Sequence, residues 1–169
     1  MSENELIDAM KREALRIEED ATYSSKGHFN AEANWILRNY FLGVPATILA
    51  ALAGATLVKS CPELASICAL LSSLLTGLMT FLKPNERASI HRSAGVQFLA
   101  LKNEIRIFRE VELLQAERLN DLTEKLKNLS SVRNDLNQNS PSIPRSAFLA
   151  ARKGIEDGEA AHQIDQGRK

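Results

Sequence analysis

The chain has 169 residues, 21 of them basic and 21 acidic, so its formal net charge is zero and points to no particular partner. Aromatic residues make up only 5% of the chain, and glycines number eight. Apart from the two apolar segments described below, the rest is helix-forming and offers little material for an independent globular core. We therefore expect an extended helical assembly that other copies of the chain complete.

Residues 1–39 predict amphipathic helices. Ser2 and Glu5 have the spacing of a capping box, and apolar side chains then recur every three or four residues to about Tyr23. Residues 24–27, Ser-Ser-Lys-Gly, predict a break, after which a second helical stretch covers residues 28–39. The apolar positions of the first helix are Leu6, Met10, Ala14, Ile17 and Ala21.

Residues 40–82 contain two uncharged apolar segments, 41–58 and 64–82, separated by five residues. The segments have 18 and 19 residues, and neither contains Asp, Glu, Lys, Arg, His, Asn or Gln. A helix rises about 1.5 Å per residue, so each segment is long enough to cross a hydrocarbon core of roughly 30 Å. The alternative is a pair of buried helices in a soluble bundle, but such helices keep some polar residues on one face. The pair predicts an antiparallel transmembrane hairpin.

Cationic side chains are more numerous outside the hairpin than in its short link, which has only Lys59. The positive-inside rule therefore predicts that both termini are cytoplasmic. Cys61, in the link, is expected to be an exposed thiol, and Cys68, inside the second segment, a buried apolar residue. The flanking cations are Lys26 and Arg38 before the hairpin, and Lys83, Arg87, Arg92 and Lys102 after it.

Four hydroxyl side chains of the second segment lie on one helical face, at spacings of seven, three and four residues. Small hydroxyl residues hold membrane helices together, and they also line water-filled pores. The sequence leaves both interpretations open. In the first segment, Ala46, Ala50 and Gly54 recur every four residues and favour close packing of another helix. The four residues, which we call the hydroxyl stripe, are Ser66, Ser73, Thr76 and Thr80.

Residues 83–137 predict a long cytoplasmic helical region. Pro84 suits the first turn of a helix, and the apolar spacing that follows is typical of a coiled coil or helical bundle. The phase of this spacing shifts near residues 111–115, so one continuous helix and two helices with a hinge are both compatible with it. The apolar positions are Ala94, Phe98, Leu101, Ile105 and Phe108, then Leu119, Leu122, Leu126, Leu129 and Leu136.

Residues 138–154 predict a linker followed by a short amphipathic helix. Phe148 and Leu149 of this helix are expected to dock on the bundle. Residues 155–169 are polar and predict a disordered tail.

Five cationic side chains after the hairpin project within about 100° of one another on a helix. In an oligomer they would form a ring beneath the membrane that can hold phosphate groups. The alternative is attraction to anionic lipid headgroups, or pairing with nearby glutamates. The five residues are Arg87, His91, Lys102, Arg106 and Arg109, and the glutamates are Glu104, Glu110 and Glu112.

Motifs of catalysis and of metal or cofactor binding are missing from the sequence. His28, His91 and His162 stand apart, with no HExxH, no paired cysteines at ligand spacing and no Gly-rich loop after a strand. No nucleophile and base are arranged together. We predict no enzyme, no catalytic residues, no metal and no cofactor. A proton-coupled carrier would keep an ionisable group at mid-membrane, and the apolar segments have none.

Residues 82–108, LKPNERASIHRSAGVQFLALKNEIRIF, resemble the SLATT domains, the SMODS- and SLOG-associating two-transmembrane effectors of bacterial anti-phage conflict systems. The resemblance covers about residues 5–135. It extends to the helix that ends near GHFNAEANWILRNY, residues 27–40, and to the order of an N-terminal helix, a tight hairpin and a long helix. It implies an effector that oligomerises in the bacterial inner membrane, opens a pore and arrests growth of the infected cell, which is abortive infection.

The same resemblance implies a nucleotide or short oligonucleotide signal that a partner nucleotidyltransferase makes. We expect no fused sensor domain, so the signal would reach the helical cytoplasmic part or a separate protein. Whether it opens the pore or holds it shut stays open.

The sequence therefore predicts an all-α membrane protein that forms a homo-oligomeric, signal-gated pore with the hydroxyl stripe as its lining. A tetramer is favoured because a small ring with one lining helix per chain leaves a narrow pore, and no protein substrate is expected. A membrane-anchored coiled-coil adaptor without a pore is the first alternative. A phage holin-like lysis protein is the second, although the cytoplasmic part would be unusually long for it.

Overall fold

The structure is a computed structural model that describes residues 3–55, 61–114 and 119–160. All regular structure in these ranges is helical, which confirms the predicted all-α class. Five α-helices and one 3₁₀ turn are described: α1 Glu3–Gly54, α2 Pro62–Leu82, α3 Pro84–Glu110, the turn Glu112–Leu114, α4 Leu119–Asn139 and α5 Arg145–Glu156.

The chain divides into two compact units. The bundle unit comprises Met1–Ala31 and Ile90–Lys169, and the hairpin unit comprises Glu32–Ser89. Helices α1 and α3 therefore contribute residues to both units.

The core of the bundle unit is formed by α1, α3, α4 and the 3₁₀ turn. Each helix contributes apolar side chains at the three-and-four spacing that keeps one face turned inward. The predicted positions are confirmed, since those of α1 from Met10 onward and those of α3 are at most 4% exposed. Ser2, half of the predicted capping box, lies outside the described residues. The core side chains are Met10, Ala14, Ile17, Ala21, Phe98, Leu101, Ile105, Phe108, Leu113, Leu122, Leu126 and Leu129.

The expected break at residues 24–27 is wrong, because α1 continues through it as one helix of 52 residues. Tertiary packing explains the continuity. Ser25 is 5% exposed, and the place where Gly27 would carry a Cβ lies 3.0 Å from the side chain of Ile143. Lys26 forms an ion pair with Glu159. Glycine costs about 1 kcal/mol relative to alanine inside a helix, and these contacts offset a penalty of that size.

The region after Pro84 contains two helices. α3 ends at Glu110, the 3₁₀ turn follows at the predicted shift of phase, and α4 begins at Leu119. Leu113 of the turn is buried in the bundle core, so the turn is packed in place.

Helix α5 docks on the bundle through small residues, which corrects the expected contacts. Ala147 and Ala151 are fully buried and Gly154 is buried, whereas Phe148 and Leu149 are 41% and 49% exposed. Phe148 keeps one contact at the edge of the interface, with its ring centroid 6.2 Å from that of Tyr23. The helix continues to Glu156, and residues 157–160 form turns, so the ordered chain extends past the predicted start of the tail.

In the hairpin unit, α1 and α2 pack along one stripe each. Ser72 Oγ donates a hydrogen bond to the carbonyl oxygen of Ala46 at 2.9 Å, and the Met79 side chain lies against Gly43. The covered positions repeat every three and four residues, as in left-handed packing of two helices. On α1 these are Trp35, Asn39, Leu42, Ala46, Leu49 and Ala53, with Gly43 and Pro45 also half buried, and on α2 they are Ala65, Cys68, Ser72, Leu75, Met79 and Leu82.

The ends of the hairpin helices follow from local chemistry. α2 begins with Pro62, whose missing N–H costs nothing in a first turn, and ends at Leu82. Lys83 adopts a left-handed conformation with φ 47° and donates its N–H to the carbonyl oxygen of Met79, as a helix C-cap requires. Pro45 lies inside α1, which runs without a break from Glu3 to Gly54. Residues 56–58 of the first predicted segment lie outside the described residues.

The docking of α5 can be tested by enlarging a buried side chain. Ala151→Leu should lower the free energy of unfolding by about 1–3 kcal/mol, because the site has no room for a larger side chain. The matched variant Leu149→Ala should change it by less than about 0.5 kcal/mol, because Leu149 is half exposed. Urea denaturation of the detergent-solubilised protein measures both, and a larger loss for Leu149→Ala would contradict the assigned interface.

Candidate functional site

The hydroxyl stripe lies on an exposed face of α2 in the single chain. Each hydroxyl donates a hydrogen bond to the carbonyl oxygen four residues earlier on its own helix, so no donor is left unsatisfied in an apolar environment. The bonds are Ser66 to Pro62 at 2.9 Å, Ser73 to Ala69 at 2.9 Å, Thr76 to Ser72 at 2.9 Å and Thr80 to Thr76 at 3.0 Å.

Three different faces run along α2. One packs on α1, the second carries the hydroxyl stripe, and the third carries large apolar side chains. At about 100° per residue, the stripe lies roughly 115° from the face that contacts α1. The third face is strongly exposed: Leu70 is 71%, Leu74 60% and Phe81 83% exposed.

The hydrogen bond that joins the two hairpin helices comes from Ser72, which the sequence analysis did not single out. Ser72 is half buried and bonds Ala46, whereas the four stripe residues are exposed. The stripe therefore does not hold α1 and α2 together. The spacing of Ser72 with Cys68 and Met79 could have identified it as a contact residue, because all three belong to the covered repeat.

The small residues Ala46, Ala50 and Gly54, which recur every four residues on α1, are also mostly not covered by α2. Ala46 is 6% exposed, but Ala50 is exposed and no atom lies within 4 Å of the Cβ position of Gly54. Gly43 makes the close contact instead, with the Met79 side chain 3.3 Å from its Cβ position. Of the three small residues Ala46, Ala50 and Gly54, Ala46 is therefore the one that α2 covers.

The five predicted phosphate-binding residues do not belong to one unit. Arg87 is in the hairpin unit, and the other four are in the bundle unit. On α3, Lys102, Arg106 and Arg109 are half buried along one flank, at spacings of four and three residues. A cationic ring around an oligomer axis stays a prediction.

Arg109 is engaged within the bundle. Its Nε donates to Glu18 at 2.9 Å, and it also pairs with Glu110. Burial alone would lower the pKa of Arg109, but the hydrogen bonds and negative charges of Glu18 and Glu110 raise it above its ordinary value. Both side chains of the Arg109–Glu18 pair are 17% exposed, so the pair joins α1 to α3 away from bulk water.

His91 is buried in the bundle unit, not presented to solvent as a phosphate ligand would be. Its Nδ1 lies 3.0 Å from Nδ1 of His28, and the two residues are 5% and 2% exposed. The His28 ring also stacks on Phe98, with centroids 5.6 Å apart and planes 14° apart. A hydrogen bond between two imidazole nitrogens needs one N–H and one lone pair, so the pair shares a single proton at this contact.

Burial, and next the charge on His91, lower the pKa of His28 to about 4. The surrounding packing is tight, because the ring of Phe29 lies 3.0 Å from the Cβ position of Gly95. Glycine therefore permits the close approach of α1 and α3 at this point. The pair is not evident from the sequence pattern because 63 residues separate the two histidines.

A shallow pocket of about 510 Å³ lies between α1, α4 and α5 of the bundle unit. Its lining includes the carboxylates of Glu19, Asp20 and Glu156, the last hydrogen-bonded to Arg152 at 2.8 Å. An acidic lining of this kind disfavours a phosphate ligand.

In the described ranges, no three His, Cys, Asp or Glu side chains are grouped so that they could hold a metal ion.

Comparisons with family models, with curated proteins and with solved structures find no match to the chain.

The histidine pair predicts that the stability of the bundle depends on pH. His28 has a lower pKa in the folded than in the unfolded chain, where it is about 6.5, so the unfolded chain binds more protons between pH 6.5 and 4. The stabilisation is complete above pH 6.5 and should decline by up to about 3 kcal/mol as the pH falls to 4.

Denaturation of the solubilised protein at a series of pH values measures this decline. His28→Asn cannot take up the proton, so its unfolding free energy should vary less with pH over the same interval. Equal slopes for the two proteins would contradict the assignment to His28.

Proposed function

We propose that this protein is a pore-forming transmembrane effector of the bacterial inner membrane. In this proposal the hairpin crosses the bilayer with both termini cytoplasmic, copies of the chain assemble with their hydroxyl stripes around an axis, and a tetramer forms a narrow pore. Opening depolarises the membrane and arrests growth. The resemblance to SLATT domains supports a role in anti-phage defence, in which a nucleotide or short oligonucleotide from a partner nucleotidyltransferase gates the pore.

The exposed hydroxyl stripe is the observation that carries the proposal. Two helices are long and apolar enough to span a membrane, and only 6% of each apolar window is buried in the single chain. On α2 the leucine face suits lipid, and the stripe offers polar oxygen atoms on a separate face. In an assembled ring, the leucine face can contact lipid while the stripe contacts water.

A second function, a membrane-anchored adaptor without a pore, is favoured by the hydrogen bonds of the stripe. Every stripe hydroxyl already donates to a carbonyl oxygen of its own helix, so the stripe needs neither water nor a partner to be stable in lipid. The two functions differ in whether the stripe matters once the hairpin is inserted.

Conductance of the purified protein in planar bilayers separates the two functions. The variant Ser73→Leu/Thr76→Leu should reduce single-channel conductance at least about tenfold, because two leucines per chain would narrow and dry the proposed lumen. The control Leu70→Val/Leu74→Val changes two side chains on the leucine face and should conduct like the wild-type protein.

Carbonate extraction and cross-linking must show that each of these proteins inserts and assembles equally. If inserted, assembled wild-type protein carries no current with or without candidate nucleotides, the pore is rejected in favour of the adaptor. Current that is unchanged in the stripe variant would reject the stripe as the lining.

The proposed signal site can be tested on α3 without breaking the Arg109–Glu18 pair. Lys102→Gln/Arg106→Gln removes two cations from the flank that includes Arg109, so it should weaken the response to the active nucleotide about tenfold or more. Lys127→Gln, on the exposed face of α4, is the control and should respond normally. Dose–response curves of bilayer current measure the effect, and an unchanged curve for the double variant would reject this site.

A further inference from the structure

Two arginines in the hairpin unit lie against one tryptophan ring. The guanidinium carbon of Arg38, one turn further along α1, lies 4.4 Å from the centroid of Trp35. That of Arg87, in the first turn of α3, lies 5.0 Å from the same centroid. Contacts at these distances are cation–π interactions, and tryptophan is the ring that makes them best. Trp35 thus holds two cationic side chains from different helices near each other.

Neither guanidinium is neutralised by the described protein. No carboxylate lies within ion-pair distance of Arg38 or Arg87 in the ranges that the structure describes, whereas nearby Lys83 pairs with Glu86 at 3.1 Å. Arg87 uses its Nε to bond the carbonyl oxygen of Leu82 at 2.9 Å, which fixes the side chain and leaves its terminal amino groups available. The cluster is therefore a positioned pair of positive charges that lacks an anion.

The place of these residues in the chain suggests where the anion comes from. Arg38 is three residues before the uncharged segment that begins at Phe41, and Arg87 is five residues after the segment that ends at Leu82. Three residues of α1 correspond to roughly 5 Å, and the contact with Trp35 keeps the Arg87 guanidinium near that of Arg38. The headgroup layer of a bilayer is about 5–7 Å thick on each side, so both arginines reach it when the hairpin crosses the membrane.

We propose that Trp35, Arg38 and Arg87 form a binding site for a phosphate group, and that its ligand is the headgroup of an anionic phospholipid. Both arginines are exposed beside the half-buried Trp35, so a lipid that diffuses in the membrane plane can reach them. Arginine donates two parallel hydrogen bonds to phosphate oxygens, and tryptophan is enriched at the membrane interface. The inference rests on the membrane insertion proposed above and does not depend on a pore.

Retention of lipid by the full-length protein tests the site. Protein is placed in nanodiscs of phosphatidylcholine with one-fifth phosphatidylglycerol, extracted in mild detergent and analysed by native mass spectrometry for bound lipid. The wild-type protein should retain phosphatidylglycerol over phosphatidylcholine, and Arg38→Gln/Arg87→Gln should reduce this preference about tenfold. The control Arg12→Gln/Arg145→Gln removes the same charge from exposed positions of the bundle unit and should retain lipid like the wild-type protein.

Trp35 is the only tryptophan of the chain, so intrinsic fluorescence reports on the site directly. Its emission should differ between nanodiscs with and without phosphatidylglycerol in the wild-type protein and in the control, but not in Arg38→Gln/Arg87→Gln. Inorganic phosphate is then titrated into nanodiscs of phosphatidylcholine alone. A saturable shift in emission at millimolar phosphate, without selective retention of phosphatidylglycerol, would assign the site to a soluble phosphate and overturn the lipid ligand.

Equal lipid retention by the wild-type protein and the double arginine variant would overturn the site itself. Carbonate extraction from phosphatidylcholine vesicles separates this result from a failure of insertion. Protein that is released by carbonate does not span the bilayer, which would reject both the site and the proposed function. Protein that resists carbonate but shows no preference for phosphatidylglycerol would reject the site alone.

Discussion

When two helices pack together, each covers only one side of the other. The remaining apolar sides of the two hairpin helices therefore need contacts from outside the hairpin. Along α1 and α2 the covered positions repeat every three and four residues, and the remaining faces of both apolar segments are exposed in the single chain. Exposure of apolar surface costs roughly 25 cal/mol per Å², so water is an unfavourable environment for these faces. Lipid or further copies of the chain can provide the missing contacts. On α2 the leucine face suits contact with lipid, and the hydroxyl face suits contact with further copies of the chain.

In the bundle unit, by contrast, side chains close the interior, and three contacts of its described residues bring α1 and α3 together. Gly95 permits Phe29 to approach closely, His28 and His91 satisfy each other, and Arg109 bonds Glu18. All of these contacts join α1 to α3, the two helices that also supply residues to the hairpin unit. Polar contacts of this kind specify one arrangement of the two helices, since a sliding register would leave buried donors without acceptors.

Periodicity in the sequence was enough to predict the helical class and the core of the bundle, including Ile105 and Phe108 on α3 and Leu126 on α4. It failed where small residues act through tertiary contact. The pattern around Gly27 predicts a helix break, but Gly27 packs against Ile143 inside α1. Ala147 and Ala151, not the larger Phe148 and Leu149, dock α5. Small side chains add little to a hydrophobic pattern, so the pattern does not show whether a helix breaks at their position or packs closely against another segment. The contacts of His28 with His91 and of Trp35 with Arg87 are absent from the sequence pattern for a different reason, because they join residues more than 50 positions apart.

The bundle unit is assembled from two separate stretches of the chain, Met1–Ala31 and Ile90–Lys169, and this discontinuity determines the order of biogenesis. During synthesis the first stretch leaves the ribosome without its partners, and α1 can bury its Met10 and Ile17 face only after α3 has been made. The hairpin lies between the two stretches, so both of its apolar segments emerge before α3 is complete. The bundle can therefore close only after the hairpin has been synthesised, and no single cut in the chain yields that bundle intact.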